Sequence, residues 1–388
     1  MKLSKIPLLL RIAIAIVLGV LLGQISPLWF AQLFATFNGL FSNFLSFIIP
    51  LIILGLVAPA IGELGKGAGR LLVLTAIIAY ASTLFSGFFT YLSCQSIFPH
   101  ILSSNVDLNI AQNIDEAVVT PFFTISMPPI MEVMSALILS FCLGLGLSFI
   151  KGNTLMNAFI DFRDIIGMII SAVIIPLLPI YIFGMFLSIS ISGQAYVVIG
   201  LFFKIILVIF VLHILLLLIQ FVLAGAISKR NPLRALKNML PAYATALGTS
   251  SSAATIPITL ECTLRNRVNP NIASFVVPLC ATIHLAGSTM KIVGFSMAIM
   301  YFFNMPIDFM TFVGFIFMLG IAMVAAPGVP GGAIMAAVAV IQSSLGFNEQ
   351  MIGLMITLYI AVDSFGTACN VTGDGAIALI VNRISSTR

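Results

Sequence analysis

Long apolar segments separated by short polar connections run through most of this chain. An α-helix of about 20 apolar residues crosses the roughly 30 Å of hydrocarbon in a lipid bilayer. Segments near that length or longer occupy residues 7–24, 38–62, 71–98, 117–150, 156–190 and 196–228. The pattern therefore predicts an all-α polytopic membrane protein.

The composition supports this prediction, because 61% of the 388 residues are hydrophobic and only 7% are charged. Soluble domains carry about one charged residue in four. A water-soluble surface cannot be built from so few charges, and the apolar segments leave no room for a separate soluble domain. We expect a single membrane domain over residues 1–388, surrounded by a lipid bilayer.

Basic residues predict the orientation of the chain, because cytoplasmic connections of membrane proteins are enriched in lysine and arginine. With a cytoplasmic N-terminus, the connections on the same side hold Lys66, Arg70, Lys151, Arg163, Lys229, Arg230, Arg234 and Lys237. The opposite connections hold Asp107, Asp115 and Glu116. We expect a multi-pass protein of the plasma (inner) membrane with both termini cytoplasmic, and the net charge of +5 indicates orientation rather than nucleic-acid binding.

Two later segments are interrupted by turn-forming residues. Arg265 and Arg267 follow the previous basic cluster too closely for one helix to cross and return. A hairpin of two half-length helices at about 238–262 fits this distance, and a second, at about 310–343, is broken at 327–332. Full helices are expected at 272–303 and 350–381.

The predicted fold is thus eight transmembrane helices plus two re-entrant helical hairpins that enter from opposite sides as inverted repeats. Interrupted backbone at membrane depth survives only where protein or a watery cavity satisfies its polar groups, so paired breaks indicate a binding site near the midplane. Alternatively, glycine and proline only kink spanning helices, but then the distribution of basic residues would break the orientation rule.

One face of the last predicted helix is polar. Residues at spacings of four, three and four share that face: Asp363, Thr367, Asn370 and Asp374. Two carboxylates with a hydroxyl and an amide suit a substrate ammonium group or a desolvated cation. The alternative is that these residues only form hydrogen bonds between helices.

The tip of the first predicted hairpin is rich in serine. Ser250, Ser251 and Ser252 offer hydroxyl groups and free backbone amides at the terminus of a half-length helix, where a carboxylate is favoured. The alternative is a flexible polar turn without a ligand.

Two further ionisable residues lie on the helix between the hairpins. His284 could carry a proton, contact substrate or be a hydrogen-bonded core histidine. Lys291 would be costly if unpaired, so it is expected to neutralise a carboxylate or to stand where a coupling cation would otherwise bind. Lys204 lies close enough to a helix end to reach the interface, and His213 has no partner visible in sequence, so both are left outside the site.

Three motifs carry a resemblance to a known family. They are the serine-rich tip at 250–257, the second tip at 328–331, and the Asn-Val-Thr-Gly-Asp segment at 370–374 preceded by Asp363. In order and spacing they resemble the dicarboxylate/amino acid:cation symporter family, which includes glutamate and aspartate transporters and sodium-coupled serine/threonine transporters. The likeness covers nearly the whole chain.

The resemblance implies a glutamate-transporter-like homotrimer with an elevator mechanism, in which a transport core (mainly 71–98 and 233–388) moves against a scaffold (mainly within 1–228). It implies substrate contacts at Asp363, which would hold an amino group, and at Thr367, Asn370, Ser251, Ser252, Ser288, Val329 and Gly366. Sodium would bind at Asn370 and Asp374, and further cation contacts are expected at Ser82, Thr83, Cys280 and Thr282. No other cofactor is expected.

Two departures from the family pattern affect the substrate and the ion. The family's Asn-Met-Asp-Gly-Thr on the middle helix is His-Leu-Ala-Gly-Ser here, so Ala286 replaces a sodium-binding carboxylate and His284 replaces its amide neighbour. Gly366 stands where members with acidic substrates have an arginine, four residues before the matched Asn370. An acidic substrate side chain then lacks its partner, unless Lys291 supplies the charge.

We therefore expect a symporter for a small neutral amino acid such as serine, threonine or alanine, driven by sodium or partly by protons through His284. The alternatives are a dicarboxylate or acidic amino acid symporter and, outside this class, a passive anion channel. An enzyme is not expected, because no nucleophile with a base is identifiable on facing positions. The five cysteines show neither metal-ligand spacing nor a disulfide framework.

Overall fold

The fold is given by a computed structural model that describes residues 8–65, 70–102, 119–191, 193, 195–326 and 330–386. All regular structure over these ranges is helical. The first part of the chain forms α1 (Leu8–Gly23), α2 (Leu28–Gly65), α3 (Arg70–Leu102), α4 (Val133–Phe149), α5 (Thr154–Ile169), a single π-helical turn (Ile170–Ile174), α6 (Ile175–Ile191) and α7 (Ala195–Ser228). These elements are almost wholly apolar, as spanning helices must be.

Shorter helices make up the second part of the chain. They are α8 (Pro232–Thr249), α9 (Ser252–Arg265), α10 (Pro270–Ile283), α11 (Ala286–Phe302), α12 (Phe309–Val324), α13 (Gly332–Leu345), α14 (Glu349–Ala361) and α15 (Asp363–Ser386). The pairs α8–α9 and α12–α13 each pack together as helical hairpins, at the positions where the sequence is interrupted. The all-helical membrane fold predicted from the apolar pattern is thereby confirmed.

Five helical stretches in the described ranges are long and apolar enough to cross a bilayer, or six when the bent pair α14–α15 counts as one span. The five are Leu28–Glu63, Arg70–Leu102, Thr154–Ile191, Val198–Ser228 and Pro270–Phe302. The expected total of eight spans stays a prediction, because α1 has 16 residues and α4 has 17. Both are near the lower limit for crossing the hydrocarbon core.

The expected helix bounds differ from the structure at two places early in the chain. The second helix begins at Leu28, ten residues before the predicted start at residue 38. The segment predicted at 117–150 is helical only from Val133, and the described residues before it, 119–132, have no regular secondary structure. Pro121, Pro128 and Pro129 explain the second difference, because proline lacks the amide that continues a helix.

Two helices predicted to be continuous are broken. The helix expected at 272–303 stops at Ile283 and restarts at Ala286, and the last helix bends by 62° at Val362, between α14 and α15. The second break places Asp363 in the first turn of α15, where a carboxylate stabilises the unpaired amides of the helix. Because α15 packs against α7 to α11, both breaks lie inside the helical bundle.

Candidate functional site

The side chain of Asn370 contacts the chain just after the first break, at the start of α11. Its Oδ1 accepts hydrogen bonds from the backbone amides of Gly287 (2.8 Å) and Ser288 (3.3 Å), at the start of α11. Its Nδ2 donates to Ser288 Oγ at 3.1 Å. The first amides of a helix have no partner within the helix, so Asn370 of α15 caps α11 across the bundle. Packing is tight there, because a Cβ on Gly287 would lie 2.7 Å from the Gly366 carbonyl oxygen.

Asp363 is the centre of the second part of the site. Its Oδ1 accepts from Lys291 Nζ at 3.0 Å, and its Oδ2 accepts from the backbone amide of Gly331 at 2.8 Å. Lys291 is fully buried and Asp363 is 7% exposed. Gly331 has φ +73°, a conformation that favours glycine, and it leads directly into α13. Asp363 therefore joins α15 to α11 and to the α12–α13 hairpin.

The ammonium group of Lys291 is held on two further sides. It lies 3.5 Å from the ring centroid of Tyr359, a cation–π contact, and the Tyr359 hydroxyl donates to Ser288 Oγ at 3.0 Å. A Cβ on Gly366 would overlap Lys291 Cε and lie 2.6 Å from its Nζ. The lysine therefore fills the space that a side chain at position 366 would need.

His284, in the break before α11, forms a second buried pair. Its Nδ1 donates to Asp374 Oδ1 at 2.9 Å, and its Nε2 lies 3.0 Å from Ser82 Oγ. Gln220 Nε2 donates to the same hydroxyl at 3.1 Å. Asp374 Oδ2 and Gln220 Oε1 are buried, and neither has a hydrogen-bond partner among the residues that the structure describes. A buried carboxylate oxygen without a partner is costly, and a cation or proton would satisfy it.

The serine-rich tip connects α8 to α9. Ser250 adopts the left-handed conformation with φ 51°. Ser251 Oγ accepts from the Ala254 amide at 3.3 Å and so caps α9, and Ser252 is buried. This hairpin packs against α15, the helix that carries the polar face. Val329, expected in the opposite tip, lies outside the described residues.

The remaining predicted site residues divide between the buried site and its surroundings. Thr367 Oγ1 donates to the Asp363 carbonyl at 3.1 Å, and Thr83 Oγ1 donates to the Ala79 carbonyl at 3.0 Å, both within their own helices.

Cys280 is fully buried on α10. Thr282 is exposed and lines a cavity of 610 Å³ with Ala325 and Ala326, so the structure does not bring it to Asp374.

Sequence reasoning missed three residues of the site. His213 was left outside it because no partner is visible in the sequence, and the structure places its Nε2 3.1 Å from the Gly287 carbonyl oxygen. Tyr359 contacts Lys291, and Gln220 contacts Ser82. The available signal was that each is a polar group in an apolar helix. Lys204 is exposed, and the structure does not bring it to the site.

A helical membrane bundle in which two broken helices and a hairpin meet around buried charges is the architecture of a membrane transporter. The model of the sodium:dicarboxylate symporter family matches residues 8–384, and this chain belongs to that family. The resemblance seen in the sequence motifs is thereby confirmed.

Curated relatives match part of the chain. A mouse (Mus musculus) protein, excitatory amino acid transporter 5, is 35% identical over 169 residues, which are 43% of this chain and 30% of that protein. The Homo sapiens protein of the same name is 35% identical over 159 residues, 41% of this chain and 28% of that protein. The match thus spans less than a third of each relative.

Proposed function

We propose that this protein is a cation-coupled symporter that imports a small neutral amino acid such as serine, threonine or alanine. The observation that carries the proposal is the buried carboxylate of Asp363, at the start of α15 and below the Gly331 amide. A carboxylate at a helix break can bind an ammonium group that has lost its water. Thr367, Asn370 and Ser288 supply hydroxyl and amide groups nearby for the rest of a small substrate.

The charges around Asp363 support a substrate without net charge. Asp363 and Lys291 form one pair, and Gly366 contributes no side chain. A zwitterion adds one positive and one negative group and leaves the sum at zero. An acidic amino acid adds one more negative charge, which would have to be paired by a co-transported cation in this low-dielectric site.

Sodium, or sodium together with protons, is the proposed coupling ion. Asp374 Oδ2 is a free oxygen ligand in the buried part of α15, next to the Asn370 cap. The His284–Asp374 pair adds a buried imidazole, the kind of group that proteins use to carry protons. Ser82, Thr83 and Cys280 remain proposed cation contacts around Asp374, whereas Thr282 lies outside this group.

The proposed transport cycle is an elevator movement of a transport core, mainly 71–98 and 233–388, against a scaffold mainly within 1–228, in a homotrimer of the plasma (inner) membrane. Family membership and the two hairpins that pack on the core support it. Ser251 and Ser252 at one tip and Val329 at the other are the proposed gates. Both termini are proposed to be cytoplasmic, as the basic connections indicate.

Purified protein in proteoliposomes tests this function. Uptake of labelled serine, alanine, threonine, aspartate and succinate is measured under an inward sodium gradient, an inward proton gradient and no gradient. We expect concentrative serine-type uptake that requires a cation gradient. Strong aspartate uptake without serine uptake would refute the substrate class, and uptake that never exceeds equilibration would indicate a passive channel.

A dicarboxylate or acidic amino acid is the second candidate substrate. The observation that favours it is the ammonium of Lys291 in the space beside Gly366, where it could pair with an acidic side chain. The family description and the name of the excitatory amino acid transporters point in the same direction. The aspartate and succinate arms of the uptake experiment decide between the two candidates.

A further inference from the structure

The ion pair between Lys291 and Asp363 lies where the proposed substrate must bind. Asp363 Oδ1 is held by Lys291 Nζ at 3.0 Å and Oδ2 by the Gly331 amide at 2.8 Å, so each oxygen already has a partner. A substrate ammonium can reach the carboxylate only by sharing or displacing one of these donors. Of the two, Lys291 is a flexible side chain and Gly331 N–H is fixed backbone.

We propose that Lys291 is a tethered cation that substrate displaces: the ammonium of the amino acid takes Asp363, its carboxylate takes Lys291, and the lysine returns to Asp363 when substrate leaves. The inference rests on the proposed function and deepens it. It gives Lys291 a role in specificity and in the return of the carrier. No covalent bond changes, and charge is conserved at each step.

The surroundings of Lys291 suit such a movement. Its ammonium rests against the Tyr359 ring at 3.5 Å, a face that stabilises a cation without binding it through a second carboxylate. Gly366 provides the space for the end of the lysine side chain. The lysine is fully buried, so a partner for its charge is required in every state of the cycle.

The specificity of the site follows from pair counting. The ion pair between Lys291 and Asp363 separates, and the two groups form two ion pairs with a zwitterion, so every charge has a partner. An amine without a carboxylate would leave Lys291 unpaired, and an acid without an amine would leave Asp363 unpaired. Unpaired charges are strongly disfavoured at membrane depth, so both ligand types should be rejected.

The return step follows from the same pair. When Lys291 holds Asp363, the two groups together are neutral, whichever of them carries the proton. The carrier can then reorient without substrate and without moving an unpaired carboxylate through the membrane interior. Without the lysine, a carrier loaded with an amino acid keeps the pair of Asp363 with the substrate ammonium, and the hydroxyl and amide groups of Ser288, Thr367 and Asn370 are left to hold the substrate carboxylate. An empty carrier keeps no ion pair at all, so its return is the step that suffers most.

The test compares two modes of transport by the full chain in proteoliposomes. Net uptake of labelled serine under a cation gradient requires return of the carrier without substrate, whereas exchange against serine inside the vesicle does not. In Lys291→Gln we expect net uptake to fall by about 100-fold, while exchange at saturating serine stays within a few-fold of wild type. Lys204→Gln, which removes an exposed lysine of α7, is the matched control and should change neither.

A relocation variant protects the test against misfolding. Because a Cβ on Gly366 points at the end of Lys291, the double variant Lys291→Ala with Gly366→Lys puts an ammonium back in the same region from α15. We expect it to regain net uptake relative to Lys291→Gln. Competition against serine completes the test: ethanolamine, which lacks the carboxylate, and 3-hydroxypropionate, which lacks the amine, should each compete at least about tenfold more weakly than alanine.

The outcomes distinguish a failure of the proposed function from a failure of the tethered cation. Wild-type protein that takes up no neutral amino acid overturns the proposed function. Wild-type uptake combined with equal loss of net uptake and exchange in folded Lys291→Gln, or with no loss of either, overturns the tethered cation. Equal competition by ethanolamine and alanine in wild-type protein would also overturn it.

Discussion

Gly366 and Lys291 share one space in the site: a Cβ on the glycine would overlap the lysine Cε and lie 2.6 Å from its Nζ. The two residues lie on different helices, α15 and α11, and the lysine reaches Asp363 only by passing beside the bare backbone of position 366. The missing side chain at position 366 of α15 therefore leaves the space that the Lys291 ammonium of α11 occupies.

Gly366→Ala tests this relationship. The new methyl group should push the flexible end of Lys291 away from Asp363 and lower serine uptake about tenfold, the factor that 1.4 kcal/mol of lost pairing produces. The helix itself should gain up to roughly 1 kcal/mol, because alanine favours a helix interior over glycine. Uptake and thermal unfolding of the purified protein measure the two effects separately.

Gly314→Ala is the control for that substitution, because a Cβ at Gly314 of α12 would meet no atom of the described part of the chain within 4 Å. It should leave uptake unchanged. Equal activity of the Gly366 and Gly314 variants would show that the lysine does not depend on the space beside Gly366.

Asp363→Asn should abolish uptake and also destabilise the protein. The neutral amide leaves the buried Lys291 charge unpaired, which costs about 3–5 kcal/mol in comparable buried pairs. Combining it with Lys291→Met removes the orphaned charge, so the double variant should recover stability without recovering transport. Denaturation in detergent and serine uptake are the two measurements, and normal uptake by Asp363→Asn would contradict the role of the carboxylate.

His284→Gln should alter the coupling ion. The glutamine can still form hydrogen bonds with Asp374 and Ser82 but cannot take up a proton. We expect uptake driven by a proton gradient to fall at least about tenfold while sodium-driven uptake persists. His100→Gln, an exposed histidine of α3, is the control, and an unchanged proton response in the His284 variant would remove His284 from the coupling step.

The stability of the α12–α13 hairpin should depend on the protonation of Asp308. It precedes α12, and its carboxylate accepts from the Thr311 amide at 2.8 Å and from the Thr311 hydroxyl at 3.1 Å. These hydrogen bonds, the amide first, lower the pKa of Asp308 from 3.8. The cap therefore contributes fully above that value and is lost as the pH falls through the lowered pKa.

The measurement for Asp308 is thermal unfolding against pH. Wild-type protein should lose stability below the ordinary pKa of 3.8, and Asp308→Ala should lack that component while being less stable at neutral pH. Asp308→Asn, which keeps an acceptor oxygen, should be intermediate at neutral pH. Identical curves for wild type and Asp308→Ala would show that the cap does not stabilise the protein.

The helical membrane fold, the positions of the two hairpins and the polar face of the last helix followed from the sequence alone. Only backbone whose polar groups are all hydrogen-bonded can lie in the hydrocarbon of a bilayer. Polar and ionisable side chains are costly there, and those that occur are usually functional. Asp363, Thr367, Asn370 and Asp374 could therefore be identified by spacing. Their substrate and ion roles stay predictions.

The pairing of the buried groups was decided only by the tertiary structure. Lys291 and Asp363 are 72 positions apart, and His284 and Asp374 are 90 apart. No periodicity along one helix relates residues at such separations, because their meeting depends on the packing of α11, and of the break before it, against α15. The same packing brought in Tyr359, Gln220 and His213 and left Thr282 on the outside. A sequence pattern shows which face of a helix is polar, whereas the partner of that face is selected by the packing of the whole bundle.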